Sequence, residues 1–253
     1  MTIDSDDYVP AYVALRIRRA APADSYVLTG STPVVVFGDP RRAAVATLGL
    51  NPSVSEFEEG GVELEGALRR FETLRSLDVR SLDDAPDEAI VRVWRRCNDY
   101  FHGNPYRWFN PLEVILGAVD ASYYADTACH LDLSQWATNP SWSSLPRSAR
   151  ERLVAEDADF LQLQLKSEPI RLLLLNGRAV LRAFQDVLGG RLGREQETVT
   201  DRSVAAELYS GRIGQVVAIG WSTNLQSSFG VTIDFQVKLA ASVRRIRDRI
   251  MSA

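Results

Sequence analysis

Cysteine, histidine and methionine are scarce in this chain, two residues of each among 253. Cys97 and Cys129 cannot supply an iron–sulfur cluster, and with only His102 and His130 a zinc site would have to recruit carboxylates. The expectation is a pair of buried thiols, no metal and no other cofactor. No apolar run approaches the roughly eighteen residues that a membrane-spanning helix needs. The opening Met-Thr-Ile-Asp-Ser-Asp-Asp is acidic where a secretory signal is basic. A cytoplasmic protein with no membrane partner is predicted. Nucleotide and nucleophile motifs are missing too: there is no Gly-x-x-x-x-Gly-Lys-Ser/Thr, no Gly-x-Gly-x-x-Gly and no Gly-x-Ser-x-Gly. A Ser53 nucleophile would have only His102 or His130 as its base. A formal net charge of -4 excludes whole-surface attraction to nucleic acid, while leaving room for contact with a few phosphates.

Strand-like and helix-like segments alternate along the rest of the chain. Apolar runs at 43–50, 127–133, 170–175 and 216–219 predict core strands. A β-rich run at 33–37 precedes them. Helices are predicted over 64–77, from the Pro86 region through 97, from Pro111, over 148–166, after Asn176-Gly177-Arg178 to 188, and over 233–251. Ile90, Val93, Trp94 and Cys97 are spaced to share one helical face, and Val237, Leu239, Ala240, Val243 and Ile246 are available to pack from the last helix. Residues 1–32 read as an irregular N-terminal extension, 134–146 as a wandering segment, and 189–207 as a hairpin or excursion. With no repeat and no linker, the prediction is one domain over 1–253, an α/β/α sandwich around a mostly parallel sheet.

The chemistry-bearing positions fall where these strands end. Gly49-Leu50-Asn51-Pro52-Ser53 turns the chain out of the first core strand, His130 to Asn139 leaves the second, and Trp221 to Gln226 leaves the last. In a parallel sheet such ends share an edge, where open α/β folds place their sites, so the three loops can form one pocket. Each also has a plainer reading. Asn-Pro starts turns, His130 suits a core histidine, and the aromatic run Tyr100, Phe101, Tyr106, Trp108 and Phe109 can seal an edge as well as stack on a base.

Gly49-Leu-Asn-Pro-Ser resembles the first motif of the uracil-DNA glycosylase superfamily, in the Gly-x-Asn-Pro form of its mismatch-specific and single-strand-selective branches. Leu172-Leu-Leu-Leu-Asn-Gly-Arg-Ala is similar to that family's late core strand and turn. Gly220-Trp221-Ser222-Thr223-Asn224-Leu225-Gln226 falls where its His-Pro-Ser motif would be. The resemblance covers roughly 43–245 and implies a three-layer α/β/α sandwich with a central, mostly parallel four-stranded sheet. It implies a monomeric enzyme that binds DNA, flips out a base and cuts the N-glycosidic bond. By position, Asn51 would orient the attacking water. Phe57 and Tyr106 would stack on the flipped base. Gly49, Leu50, Pro52, Ser53, Trp221, Ser222, Thr223 and Asn224 would line the pocket, and Leu225 with Gln226 would wedge into the stack.

Two departures from the family pattern bear on the substrate. Where uracil-specific relatives carry a base-reading asparagine, this strand ends Cys129-His130-Leu131-Asp132. A carboxylate accepts from the exocyclic amine of cytosine and repels the uracil carbonyl, so an inward Asp132 favours cytosine or a modified cytosine. Asp132 can equally hold His130 or cap a turn. The late-motif histidine is absent, and His130 could supply the missing donor; without it, a modified base is the better leaving group. Some bacterial relatives act on phage DNA carrying hydroxymethylated or glucosylated cytosine, and this chain suits that role. The rival expectations are a uracil or mismatch repair glycosylase and a non-catalytic DNA- or nucleotide-binding protein of the same fold.

Overall fold

Leu172-Leu-Leu-Leu-Asn has no polar alternation and is buried at every position, the pattern of a strand covered on both faces. It is the middle of the sheet. The computed structural model describes residues 8–22, 26–226 and 229–252; the acidic opening lies outside them. In chain order the elements are α1 (Ala11–Arg18), β1 (Val45–Gly49), β2 (Glu58–Glu59), β3 (Val62–Glu63), α2 (Leu74–Leu77), α3 (Asp87–Asn98), α4 (Asn110–Ala118) and β4 (Ala128–Asp132). Then come α5 (Arg147–Ser167), β5 (Leu172–Asn176), α6 (Arg178–Leu188), β6 (Gly193–Asp201), β7 (Val204–Ile213), β8 (Val216–Trp221) and α7 (Ile233–Met251).

The fold is α/β, with helices flanking a central sheet of order β4-β1-β5-β8-β7-β6. Pairing is parallel for β1 with β5 and β5 with β8, and antiparallel for β8 with β7 and β7 with β6. The expected class holds, but the sheet has six strands where four were expected. The two additional strands are the β6–β7 hairpin. Its burial alternates along Val204, Ala206 and Leu208, while β6 keeps mostly exposed polar residues, as an edge strand does. That half-apolar alternation is weak next to the unbroken run of β5.

Chain contacts divide the molecule into two compact units. The second unit, 40–49, 106–130 and 167–253, holds β1, most of β4, β5 to β8, and α4, α6 and α7. There α6 lies close on the sheet: a Cβ on Gly220 would come within 2.5 Å of Leu181 Cδ2. Leu239, Ala240, Val243 and Ile246 of α7 are buried as expected, whereas Val237 is exposed.

The first unit, 1–39, 50–105 and 131–166, holds α1, α2, α3 and nearly all of α5. Ile90, Val93, Trp94 and Cys97 are all buried on α3, as their spacing predicts. Three expectations change. Residues 11–18 are not irregular: they form α1 and bury Val13, Arg16 and Ile17. The 33–37 run is buried from Val34 to Phe37 but forms no strand of its own among the described residues. The helix expected over 64–77 is reduced to a 3-10 turn at Gly66–Leu68 and the single turn of α2. Gly66 takes a positive φ of 56°, and Thr73 and Ser76 form a capping box that starts a separate helix.

Candidate functional site

The loop leaving β1 belongs to the first unit from Leu50 onward. Asn51 is half-buried, and its side-chain amide is held at three points. Nδ2 donates to Pro52 O at 2.9 Å, Trp136 O at 3.1 Å and Thr138 Oγ1 at 3.2 Å. Two of those acceptors are backbone carbonyls, which fixes the NH2 on that side. No hydrogen bond reaches Oδ1 among the described residues. The side chain is therefore an immobilised carbonyl acceptor. Pro52 is buried; Ser53 is exposed, and its Oγ caps the 3-10 turn Val54–Glu56 by accepting from the Ser55 N–H. Phe57 is 2% exposed and packs on Phe71, so its ring is a wall of the aromatic core.

Residues 132–138 carry two of the three acceptors that hold Asn51, Trp136 O and Thr138 Oγ1. This stretch does not wander; it is bonded along its length. Ser134 N–H donates to Leu50 O, Gln135 O accepts from Val34 N–H, and Ala137 O accepts from Leu28 N–H. Asp132 is 5% exposed. Its backbone oxygen accepts from Gln135 Nε2 at 2.9 Å.

Glu56 was not singled out by sequence reasoning. It is 2% exposed, and both carboxyl oxygens face the Tyr100 hydroxyl, at 2.9 and 2.8 Å. Tyr100 in turn stacks on Phe71 and meets Phe37 and Phe101 edge-on. The nearby cation, Arg70, approaches only to 3.9 Å and gives its own protons to Asn104 O and Ser55 O. Burial pushes the Glu56 carboxyl up to about 7; the Tyr100 hydroxyl and Arg70 oppose the shift, and the charge of Asp132 adds to it. Burial, helped by the neighbouring charge of Asp132, thus keeps part of the Glu56 population protonated up to about pH 7. A Glu five residues after Asn51 inside a polar loop gives no sequence signal of burial.

In the second unit His130 is 6% exposed. Its Nδ1 lies 2.6 Å from Thr47 Oγ1, which lies 2.5 Å from the Tyr123 hydroxyl, and its ring meets Phe109 edge-on. The parallel register brings Asn176 opposite Trp221, so the ends of β5 and β8 share an edge with Gly49 at the end of β1. Asn176 is saturated there. Its Oδ1 accepts from Trp221 Nε1 at 2.9 Å and Leu225 N–H at 3.0 Å, and its Nδ2 donates to Gln226 Oε1 at 2.7 Å and Asn224 Oδ1 at 3.4 Å. Gln226 Nε2 reaches Trp108 O at 2.9 Å, Ser222 Oγ accepts from Glu207 N–H, and Thr223 Oγ1 donates to Ala205 O. Trp221 and Leu225 are buried, at 0% and 4% exposed, so neither side chain projects from this loop; Phe229, beyond the undescribed 227–228, is 99% exposed.

The aromatic run divides by position. Tyr100, Phe101 and Phe109 are core, while Tyr106 and Trp108 are 36% and 43% exposed. The basic end of α7 is largely engaged: Arg244 pairs with Asp248, Arg245 with Glu197, Arg247 with Asp120, and Arg249 with Glu195. Arg42 pairs with Asp126, Arg178 with Glu207, and Arg212 donates to Ile250 O. A cavity of about 290 Å³ in the first unit is walled by Leu28, Ser31, Leu74, Arg80 and Trp136. Of the residues that hold Asn51, Trp136 lines it directly, and Val27 in its wall is bridged to Thr138.

Both cysteines are buried thiols, and burial pushes Cys97 up to about 12. Among the described residues no cluster of three or more His, Cys, Asp or Glu is arranged to hold a metal ion, and no helix is long and apolar enough to cross a membrane. Compared with protein-family models and with the curated proteins, the chain matches none.

Proposed function

We propose that this chain is a DNA glycosylase of the uracil-DNA-glycosylase type, one that hydrolyses the N-glycosidic bond of a flipped, modified cytosine. Hydroxymethylated or glucosylated cytosine in phage DNA is the substrate class this reading favours, with a role in defence. The observation that carries it is Asn51, whose amide protons are all spent on fixed acceptors while Oδ1 stays open. An amide carbonyl is too weak a base to deprotonate water. It can hold water by one accepted hydrogen bond and aim its oxygen at C1′ as the bond to N1 breaks toward an oxocarbenium-like sugar; the bonding pair leaves with the base, whose anion takes up the proton the added water gives up. The phosphates of the bound strand offset that cation. Asp132 supports the choice of base: a carboxylate accepts from the N4 amine of cytosine and repels O4 of uracil.

The test is base release from single- and double-stranded DNA bearing uracil, a mismatched thymine, cytosine, 5-hydroxymethylcytosine or its glucosylated form, with Asn51→Ala as control. Release of a cytosine-derived base, lost in the control, supports the proposal. Release of uracil alone retains the reaction and removes the cytosine assignment. DNA binding without release from any substrate leaves a binding protein of this fold. Asp132→Asn should shift preference from cytosine-type bases toward uracil by about tenfold or more, read as the ratio of kcat/KM values. An unchanged ratio would make Asp132 structural.

A further inference from the structure

Arg16 and its partner Asp157 are each 1% exposed, a fully buried ion pair in the first unit, and Arg16 sits on a helix that the sequence gives no reason to regard as functional. Its Nη2 donates to Asp157 Oδ1 at 2.7 Å, and its Nε donates to Gln135 Oε1 at 3.0 Å. Its guanidinium lies 5.3 Å from the Trp136 ring and 6.0 Å from that of Phe160. Nη1 is buried with no hydrogen-bond partner among the described residues. Such a group is costly to bury, and its presence points to what it holds.

What it holds is the 132–138 segment. Asp157, the partner of Arg16, accepts from the Ser134 hydroxyl at 3.1 Å and from the Gln135 N–H at 2.9 Å. Gln135, the other partner, passes the constraint to Asp132 O. The next residue, Trp136, has its ring under the guanidinium and its carbonyl on Asn51 Nδ2. The Asp157, Gln135 and Trp136 contacts of Arg16 thus each lead into the segment that fixes Asn51 or Asp132, whereas its contact with the Phe160 ring stays on α5. Buried side chains with charge-assisted bonds have few alternative arrangements, so they transmit position and not merely cohesion.

We infer that Arg16 of α1 is a positioning residue for the Asn51 side chain, acting through Asp157, Gln135 and the Trp136 carbonyl. The inference rests on the reading of Asn51 given above for its catalytic consequence. Its structural content, that Arg16 sets the orientation of the Asn51 amide, can be measured separately.

The experiment uses the full chain with Arg16→Met, the conservative Arg16→Lys, and Arg19→Gln as a control. Arg19, just beyond α1, bonds Asp159 and Glu156 O, and none of its hydrogen bonds reaches 132–138 among the described residues. The first readout is the Asn51 Nδ2 signal in a ¹⁵N–¹H spectrum, assigned by its loss in Asn51→Ala. The second is single-turnover base release, separated into rate and apparent DNA affinity. Arg16→Met should move the Asn51 amide signal and lower the rate roughly tenfold or more at unchanged DNA affinity. Arg16→Lys should recover much of both, and Arg19→Gln should alter neither.

A folded Arg16→Met with the wild-type amide signal overturns the inference. So does a rate loss that vanishes at a temperature where the variant is fully folded. If Arg16→Met does not fold, Gln135→Met severs one arm while keeping the Arg16–Asp157 pair, and an unmoved Asn51 signal there is equally fatal. If the wild-type chain releases no base, the glycosylase reading fails, while the amide signal still decides whether Arg16 positions Asn51.

Discussion

Asn51 and Asn176 are the same residue type in closely related places, one just beyond the end of β1 and the other at the end of its parallel neighbour β5. Their surroundings differ in one respect. Asn176 donates to two acceptors and accepts from two donors, so its hydrogen-bonding capacity is used. Asn51 donates to three acceptors and, among the described residues, its side chain accepts from none. A saturated buried amide is a fastener, here for the Trp221-to-Gln226 loop. An amide immobilised on one side and open on the other retains an interaction for something else. Saturation separates the two roles where residue type and strand position do not.

The largest expected effect breaks this comparison at Asn51. On the glycosylase reading proposed above, Asn51→Ala should lower base release by about a hundredfold or more, because that reading has the lost acceptor act in the transition state, while the melting temperature moves little. Asn176→Ala should do the reverse. It strands the Trp221 indole N–H and the Leu225 N–H in the interior, at about 2–4 kcal/mol in urea unfolding. Release surviving Asn51→Ala, with Asn176→Ala inactive yet stable, would exchange the two assignments.

Glu56 supplies the next effect. Its carboxyl is raised from 4.5 to about 7, so between those values the folded chain keeps a proton that the unfolded chain releases. Its contribution to stability therefore falls as pH rises from about 4.5 to about 7 and is level above that, by roughly 3 kcal/mol at most. Glu56→Gln should abolish this fall and be the more stable protein at pH 8, read by thermal melts across pH. A wild-type profile with no decline over that interval would place the titration elsewhere.

The smallest effect sharpens the fastener side. Gly177 holds φ 99° and ψ 154°, and a Cβ there would sit 3.0 Å from Asn224 Cβ. Gly177→Ala should cost about 1–3 kcal/mol through strain and displacement of the loop that Asn176 secures. A variant as stable as the parent would show that this loop has slack.

Much of this architecture was legible in the chain. The unbroken Leu172–Leu175 run, the shared face of Ile90, Val93, Trp94 and Cys97, and the 148–166 helix are all realised, because burial of an apolar run or stripe is the dominant local signal. The hairpin among the readings for 189–207 is realised as β6 and β7 over 193–213, and its second strand runs past the expected end because Val204-Ala-Ala-Glu-Leu-Tyr-Ser has its alternation diluted by small residues. Helix α1 was passed over because its Arg16 reads as a surface charge until Asp157, 141 positions away, is brought to it. Leu225 and Trp221, placed by sequence at a DNA-facing loop, are inside the molecule, and Asn176, which holds that loop, was quoted only as part of a strand.

The sequence by itself determined the α/β class, the order of the main strands and helices, and the polar turn after β1 where Asn51 sits. Those follow from side-chain hydrophobicity and backbone propensity, which act between near neighbours. Only the tertiary structure decided which polar atoms are spent. The partners that fix Asn51 at Trp136 and Thr138 lie 85 and 87 residues along the chain, and those of Asn176 lie 45 to 50 away. A hydrogen bond is satisfied or left open by geometry at about 3 Å, and at such separations no local pattern encodes it.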